Sequence, residues 1–517
     1  MHDILIKNGI IVDGTGQKQY GGDLAINDKK ITEIGDLSGD KAHHVIDASG
    51  KIVAPGFIDI SNRSDTRCRL FKDLQLESLL HQGITTIIGG NSGASLAPIY
   101  NEEMFKNMRK WSDVSSFNVN WQSMEDFLET IEKQKLSVNF GTFVGYGTLR
   151  RGLVGDEERK LDEEEKISME KHLTESFNQG ALGVSTGLIY SHERGIETEE
   201  LIEVAKITAK NDKLYVAHLR DEGEDLLSSI EEVIRIKKET GVKMHVSHLK
   251  AESKEHWSDM VEAIEKLEKA GIIFDVYPYT FSTTVLYTLL PDWVSDGGRR
   301  MMLERLKNKT LRKQVIDEME SKGRDLSKAV VAYTMNSGYF SGKSFAEIAK
   351  LQEKSVNDAV INVLLASEGQ VNIFLDSMSK ENIVRGLKSD NSVVSSNGVG
   401  FTIEKRNEQM EHPRSFGAFA RVFCQHVVGS ETLSVETAVH KSSGKVAQEL
   451  NIEERGFLKK GFIADIVIFD LENFKDHSDM ERPFQYSTGV ESLVVNGQVV
   501  LKYGKYIGVR SGGIIKK

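Results

Sequence analysis

Residues 213–250, "KLYVAHLRDEGEDLLSSIEEVIRIKKETGVKMHVSHLK", contain two short apolar runs that each lead into a histidine, with an amphipathic helical segment between them. This pattern is typical of a strand, a crossover helix and a second, parallel strand. His218 and His248 lie 30 residues apart, which is the length of one such unit. The pattern therefore predicts that the two histidines follow adjacent strands and lie at the same edge of a parallel sheet.

The same alternation of strand and helix continues through the middle of the chain. Apolar strand-like runs recur at intervals of about 25–40 residues, with helical segments between them. The runs lie at 83–90, 138–145, 181–187, 213–220, 243–250, 272–279, 371–377 and 392–398. About eight such units predict an α/β fold built on a (β/α)8 barrel. The charged, helical residues 285–345 interrupt the rhythm and predict an inserted lid subdomain over one face of the barrel.

Both ends of the chain have a different, β-rich pattern. Residues 3–53 alternate apolar and polar positions between NG, DG, ND and SG turn signals, and residues 461–508 repeat this style. Because chain termini often lie close together, we expect both ends to form one small β-sandwich beside the barrel. The predicted domains are 1–55 and 441–517 for the two parts of the sandwich and 56–440 for the barrel.

The composition argues against several classes of protein. The chain has 517 residues, a formal net charge of −11 and two cysteines, Cys68 and Cys424, without a CxxC motif. The mild acidity argues against nucleic-acid and membrane partners, and the cysteine count argues against a disulfide framework or a thiolate zinc site. The N-terminus is too polar for a signal peptide, and no run of about 18 apolar residues occurs. We expect a cytoplasmic protein, and the sequence does not indicate its oligomeric state.

Polar residues at the carboxyl ends of barrel strands are the expected site. His218 lies in "VAHLRDEG", His248 and Lys250 lie in "VSHLK", and Asn397 lies in "SSNG". A pair of histidines on successive strands suits metal ligation or proton transfer. A single histidine at a strand end is more often structural, and Lys250 is equally consistent with a solvated surface lysine.

Two further segments carry candidate ligand-binding residues. "VYPYTFSTT" (276–284) places Tyr277 and Tyr279 near another strand end, where tyrosine packs in the core as often as it contacts a ligand. "HPRSFGAF" (412–419) is a compact basic turn. Arg414 in this turn could bind a carboxylate through two hydrogen bonds, although a loop arginine often has no such role.

A series of longer motifs runs in order along nearly the whole chain. The motifs are "VDGTG", "KIVAPGFID", "QGITTIIGGNSGASLAPI", "GALGVSTGLIY", "HLRDEG", "SHLK", "YPYTFSTT", "EGQVNIF", "HPRSFGAF" and "GFIADIVIFD". Together they resemble the N-acyl-D-amino-acid deacylase (D-aminoacylase) family of the amidohydrolase superfamily. The resemblance implies a distorted TIM barrel flanked by a β-sandwich from both termini, with a mobile inserted lid. It also implies zinc-assisted hydrolysis of an N-acyl-D-amino acid to a carboxylate and a free D-amino acid.

The stretch "APGFIDISNRSDTR" (54–67) departs from the pattern of this family. After "GFID" the family has two metal-binding histidines, whereas this chain has Ser61 and Arg63. Ser92 replaces the metal-binding cysteine of the family's "GNCGASLAP", and Asn397 replaces the aspartate that reaches the metal and acts as general base. The metal-binding positions that this chain retains are His218 and His248.

These replacements predict that the metal and its chemistry are lost. Zinc prefers about four nitrogen, sulfur or carboxylate ligands, and neutral serine and amide oxygens replace them poorly. Arg63 adds a permanent cation, and one pair of unit charges about 4 Å apart at an effective dielectric constant of about 20 interacts with roughly 4 kcal/mol. The amide of Asn397 cannot act as a base near neutral pH. We therefore expect no metal cofactor, the alternative being one weakly bound zinc at His218 and His248.

The substrate side of the family pattern is retained. By resemblance, Arg414 and Ser415 hold the carboxylate of an acyl-amino-acid-like small molecule, and Lys250 and Tyr279 line its pocket. The predicted substrate-binding residues are Tyr279, Arg414, Ser415, Ser61 and Ser92. The predicted catalytic residues are His218, His248, Lys250, Arg63 and Asn397.

Three functions are open at this point. The first is a repurposed, metal-independent enzyme acting on an N-acyl amino acid or related amide by hydrolysis, condensation, cyclisation or elimination. The second is a non-catalytic ligand-binding protein or partner subunit, which predicts binding without turnover. The third is a conventional zinc-dependent N-acyl-D-amino-acid deacylase with a weak single-metal site. Metal analysis separates the third function from the others, and turnover assays separate the first from the second.

Overall fold

The centre of the protein consists of parallel strands followed by helices. The computed structural model describes residues 1–516 except 107, 109–118, 158, 324, 336–337 and 406–409. Within these ranges, eight successive strand positions are Phe57–Asp59, Ile84–Gly89, Asn139–Thr142 continued by Val144–Gly145, Gly183–Gly187, Leu214–His218, Lys243–Val246, Ile273–Val276 and Ser392–Val394. Neighbouring positions pair in parallel. This is the order and direction of a (β/α)8 barrel.

The ends of this series are also linked, because the backbone N–H of Ser396 donates a hydrogen bond of 2.9 Å to the Asp59 carboxylate. Ser396 lies just beyond the last strand and Asp59 ends the first. The last strand end is thereby held beside the first. Residues that follow distant strands in the sequence therefore meet at one mouth.

Amphipathic helices cover the parallel strands. The helix Leu226–Thr240 buries Ile230, Val233 and Ile236, whose spacing places them on one face, and it ends at Gly241 with φ 68°. The α-helices described outside the inserted layer are Arg69–Lys72, Glu77–Leu80, Glu102–Lys106, Met124–Gln134, Tyr146–Val154, Glu163–Asn178, Ser191–Arg194, Thr198–Lys210, Leu226–Thr240, Asp259–Lys269, Lys380–Lys388, Arg414–Arg421, Val435–Ser442 and Gly444–Leu450, together with the π-helix Val422–Gly429 and the 3-10 helices Lys254–His256 and Ile403–Lys405.

Strands from both ends of the chain share one mixed sheet. The strands are His2–Ile11, Tyr20–Asn27, Lys30–Gly35, Ala42–Asp47, Ile52–Pro55, Ile466–Phe469, Val490–Val495, Gln498–Lys502 and Lys505–Tyr506. Ile52–Pro55 pairs antiparallel with Ile466–Phe469 and so joins the two ends. Their alternating side chains are buried in a common apolar cluster that includes Ile4, Leu24 and Val494.

An antiparallel layer is inserted after the strand Ile273–Val276. It consists of the strands Phe281–Val285, Val330–Thr334 and Val371–Asp376, with the helices Asp292–Ser295, Gly298–Lys307, Lys309–Ser321, Phe345–Gln352 and Val356–Ala366. This layer has its own apolar core. The prediction of a barrel strand at 371–377 is wrong, because this apolar run pairs antiparallel with both other strands of the layer. A short buried run has the same composition in either kind of sheet, so the sequence does not reveal its partner.

The predicted lid, 285–345, lies within this inserted layer. Its role as a lid and the domain boundaries at 55 and 440 remain predictions. Across the described ranges, no helix combines the length and apolar character that crossing a membrane requires.

Candidate active site

Three residues at the mouth of the parallel strands have left-handed backbone conformations. The φ angles are 53° at Ser92, 37° at His248 and 45° at Asn397. Each residue follows a different strand of the series. For a residue other than glycine this conformation costs about 1–3 kcal/mol, and such strain is concentrated at functional sites. The fold therefore holds these three side chains in place at an energetic cost.

A buried cluster of two histidines, a carboxylate and an ammonium lies at this mouth. The rings of His218 and His248 are perpendicular, with centroids 4.4 Å apart. Glu222 lies between them, its Oε1 3.1 Å from His248 Nδ1 and its Oε2 3.5 Å from His218 Nε2. Lys250 Nζ lies 2.5 Å from Glu222 Oε2. The two strand-end histidines therefore lie side by side in one cluster.

The charges of this cluster follow from burial and from the Lys250–Glu222 contact. Burial would raise the pKa of Glu222, but Lys250 and the two histidines hold it well below its usual range. Burial would lower the pKa of Lys250, but Glu222 raises it. Burial and then Lys250 lower the pKa of His248 to about 3, and burial lowers the pKa of His218 although Glu222 opposes this. At neutral pH the site therefore contains a charged Lys–Glu pair and two neutral imidazoles.

Arg63 is hydrogen-bonded to the side chains at two positions where the family pattern has metal ligands. Its Nε donates to Asn397 Oδ1 and its Nη2 donates to Ser92 Oγ, each over 2.8 Å. Ser92 Oγ in turn lies 2.9 Å from His218 Nδ1. The guanidinium therefore connects the end of one strand to the histidine that ends another.

A pocket of about 810 Å³, its open mouth included, contains this cluster and the guanidinium of Arg414. Arg414 is 4% exposed, and its guanidinium carbon lies 4.8 Å from the centroid of the Tyr277 ring. Among the described residues, its Nε and Nη1 have no hydrogen-bond partner. A buried guanidinium with such donors is suited to bind an anion that enters the pocket.

The formal charges of the pocket wall are also positive overall. The described residues that line the pocket include four permanent cations, Arg63, Arg67, Lys250 and Arg414, and three carboxylates, Glu222, Glu252 and Glu411. With both histidines neutral, one net positive charge remains. The wall is complementary to a ligand that carries one negative charge.

The structure brings most of the predicted catalytic and binding residues into this one pocket. The predicted residues that line it are Arg63, His218, His248, Lys250, Asn397 and Arg414. Ser92 lies behind Arg63, to which it is hydrogen-bonded. Ser61 is buried, and its hydroxyl has no hydrogen-bond partner among the described residues.

Tyr279 and Ser415 are placed differently from the prediction. The Tyr279 hydroxyl donates to Asp476 over 2.9 Å, and this ring is not part of the pocket wall, where Tyr277 lies instead. The Ser415 hydroxyl donates to Glu411 over 3.2 Å and accepts from the Val399 N–H over 3.0 Å. Ser415 therefore orders the wall, and Arg414 alone of the Arg–Ser pair lines the pocket.

Glu222 is the main residue that the sequence analysis missed. It lies four positions after His218, within "HLRDEG". A carboxylate at this spacing, just beyond a strand-end histidine, was the available signal. Its pairing with Lys250 was not visible, because Lys250 belongs to the next β–α unit.

Donor atoms of His218, Glu222 and His248 lie within 4.8 Å of one another and are the metal-ligand group found among the described residues. Both imidazole Nε2 atoms lack hydrogen-bond partners within that set. However, a divalent ion bound to Glu222 would meet the Lys250 ammonium, 2.5 Å from the same carboxylate. The group therefore does not fit a divalent ion as long as Lys250 is bound to Glu222.

Comparison with known proteins confirms the predicted fold class and family. Residues 44–501 match the amidohydrolase family. The chain is 28% identical to a D-aminoacylase of Alcaligenes xylosoxydans xylosoxydans, covering 100% of this chain and 98% of that protein. It is also 28% identical to an N-acyl-D-aspartate deacylase of the same organism, covering 96% and 92% of the two chains.

The structural comparison agrees with these matches. A crystal structure of N-acyl-D-glutamate deacylase from Bordetella bronchiseptica, complexed with zinc and a phosphonate inhibitor, has a TM-score of 0.85 and 26% identity over the full length of both chains. A D-aminoacylase crystal structure also has a TM-score of 0.85, with 27% identity over the full length of both chains. The chain therefore belongs to the amidohydrolase family and, within it, to the D-aminoacylase family.

Proposed function

We propose that the protein hydrolyses the amide bond of an N-acyl amino acid, or of a closely related amide that carries a carboxylate, without a bound metal ion. The observation that carries this proposal is the buried guanidinium of Arg414, whose Nε and Nη1 have no partner among the described residues. Leaving buried charged donors unpaired is costly, and a ligand carboxylate removes that cost. The planar guanidinium matches the two carboxylate oxygens.

The cluster of His218, Glu222, His248 and Lys250 in the same pocket supplies groups for proton transfer. Hydrolysis needs a base that takes a proton from water and an acid that protonates the leaving nitrogen. His218 is neutral because burial lowers its pKa, and Glu222 Oε2, 3.5 Å from its Nε2, stabilises the imidazolium that forms. His218 thus takes the proton and later returns it to the leaving nitrogen.

The metal-independent character rests on the partners of Arg63. Ser92 and Asn397 stand where the family pattern has a metal-binding cysteine and aspartate, and both accept hydrogen bonds from the Arg63 guanidinium. A neutral hydroxyl and amide are poor ligands for zinc, and the guanidinium already engages both oxygens. The Arg63 guanidinium therefore takes the place of a metal ion as the cation at the centre of the pocket in this proposal.

The test combines metal analysis with turnover. Protein purified without chelators is analysed for metals by mass spectrometry and assayed for amine release from a panel of N-acyl-D- and N-acyl-L-amino acids. We expect far less than one zinc per chain and turnover that persists in EDTA. The matched variants are His218→Gln, which should lose turnover but keep ligand binding, and Arg421→Met, an arginine outside the pocket, which should keep both. Binding without turnover on the whole panel would refute hydrolysis and support a ligand-binding protein.

A second candidate function, a single-zinc deacylase, is favoured by one observation, the grouping of His218, Glu222 and His248. These three residues would hold the ion, which would polarise the amide carbonyl and a water molecule. Binding requires that Lys250 leaves Glu222. Stoichiometric zinc in the purified protein, with loss of activity in EDTA and recovery on adding zinc, would establish this function and refute the metal-independent one.

A further inference from the structure

Arg63 is held more firmly than an arginine in a solvent-facing loop. Its backbone N–H donates to the Gly398 carbonyl over 2.8 Å, and its own carbonyl accepts from the Arg67 N–H over 3.0 Å. Its side chain reaches Asn397 and Ser92, each over 2.8 Å. Backbone and side chain are therefore both fixed, and the guanidinium plane is set before any ligand arrives.

We propose that the Arg63 guanidinium is the electrophile of the site, binding the carbonyl oxygen of the amide and stabilising the negative charge that develops on it. This inference rests on the proposed function and deepens it. Arg63 lines the same pocket as Arg414 and His218, so one ligand can meet all three groups. A fixed donor of this kind acts mainly through preorganisation, because it need not reorient as charge develops.

The chemistry of the two partners supports this assignment. Ser92 and Asn397 present neutral oxygens to Arg63, which orient the guanidinium without cancelling its charge. A thiolate and a carboxylate at these positions, as in the family pattern, would instead neutralise it. The replacements at 63, 92 and 397 therefore form one consistent set, and Ser92 and Asn397 are positioning residues.

The other three cations of the pocket wall have different roles. Arg67 lies 3.3 Å from Glu411 and forms an ion pair with it. Lys250 is 2.5 Å from Glu222 and forms an ion pair with it. Arg414 lies over Tyr277 with donors that suit a carboxylate. Arg63 lies next to the histidine cluster, to which Ser92 links it.

The proposed step is a balanced hydrolysis. The water oxygen bonds to the carbonyl carbon, its proton passes to His218, and the carbonyl π electrons move to the oxygen held by Arg63. These electrons then re-form the carbonyl as the carbon–nitrogen bond breaks, and the nitrogen leaves with the proton from His218. The products are a free amino acid and a carboxylic acid, which releases its remaining proton to solvent and leaves as the carboxylate, and no oxidant or further reactant is needed.

The test is removal and chemical rescue of the guanidinium. In Arg63→Ala we expect kcat to fall about 10²–10³-fold, the effect of losing one preorganised oxyanion donor. Millimolar guanidinium, well below denaturing concentrations, should restore part of kcat in this variant, whereas zinc should not. Arg63→Lys keeps the charge but loses the two-point contact, so its kcat should lie between that of Arg63→Ala and that of the wild type. The matched control is Arg235→Ala, which removes an exposed arginine on a surface helix.

A binding measurement separates this inference from the proposed function. A phosphonate analogue mimics the tetrahedral anion, and an N-acyl amino acid mimics the ground state. Arg63→Ala should weaken binding of the phosphonate at least tenfold more than binding of the N-acyl amino acid. Thermal unfolding of Arg63→Ala and Arg63→Lys confirms that both variants fold. Equal losses for both ligands, or unchanged kcat in folded Arg63→Ala, would overturn the inference while leaving hydrolysis intact. If the wild type has no turnover, the phosphonate comparison still decides the role of Arg63.

Discussion

Replacing Arg414 by methionine should move ligand affinity and protein stability in opposite directions. Arg414 is 4% exposed, and its guanidinium Nε and Nη1 have no partner among the described residues. Methionine keeps a long apolar stem against Tyr277 and removes the charge. The variant therefore loses the donors that bind an anion. It also removes the unfavourable burial of unpaired charged donors in the free protein.

The magnitudes follow from these contacts. Two hydrogen bonds to a charged group are worth about 1.5–3 kcal/mol each, so the loss is about 3–6 kcal/mol, or roughly 10²–10⁴-fold in Kd. Removing buried donors that lack partners should raise the free energy of unfolding of the free protein by about 1–3 kcal/mol. The opposite signs distinguish a binding residue from a structural one.

Arg421→Met is the matched control from the same helix. Arg421 donates to Asp476 over 2.8 Å, and the Asp476 side chain is 2% exposed. Its removal leaves a buried carboxylate without its countercharge and should cost about 3–5 kcal/mol of stability with no change in affinity. The assays are chemical denaturation of the free proteins and calorimetric titration with an N-acyl amino acid. If Arg414→Met destabilises the free protein and binds the ligand as tightly as wild type, the assignment of Arg414 is refuted.

Two further predictions concern charge in the interior. Lys250→Met leaves Glu222 buried without its countercharge, so we expect a loss of about 3–5 kcal/mol in unfolding free energy and a new rise in Tm on adding zinc; an equal zinc response in the wild type would contradict this. Burial lowers the pKa of His81 to about 4, so its contribution to stability is lost as the pH falls from 6.5 towards 4. Burial would lower the pKa of His245, but Asp275 and Glu449 raise it to about 9. The stability that protonated His245 contributes is therefore lost as the pH rises from 6.5 to 9. The difference in unfolding free energy between wild type and His81→Gln should therefore change by about 1.4 kcal/mol per pH unit below 6.5, and the difference between wild type and His245→Gln by a similar amount above it; differences that stay constant between pH 5 and 8 would contradict both assignments.

Much of the site could be predicted because its residues follow a regular rule. In parallel β–α units the carboxyl ends of the strands lie on one side, so a polar residue after each apolar run is directed to one mouth. His218, His248 and Asn397 were found by this rule. Arg414 was found through a local motif, since the basic turn before a helix is contiguous in the chain.

Other parts could not be predicted because they depend on contacts between distant segments. The motif "YPY" contains two tyrosines, and the sequence does not show which one lines the pocket. In the structure Tyr279 packs against Asp476 and Arg421, whereas Tyr277 lies in the pocket wall. The pairing partner of the apolar run Val371–Asp376 was also hidden. Apolar periodicity reports burial, and burial is the same whichever strand lies alongside.

The sequence by itself determined the series of parallel β–α units, through their order, and the residue types at 61, 63, 92 and 397 that depart from the family pattern. Only the tertiary structure decided which side chains meet at the site: the Arg63 guanidinium hydrogen-bonded to Ser92 and Asn397, and the Glu222 carboxylate paired with Lys250. The reason is physical. The chemistry of a side chain belongs to its residue type, whereas its charge state and its partners depend on burial and on neighbours that the fold brings from distant parts of the chain.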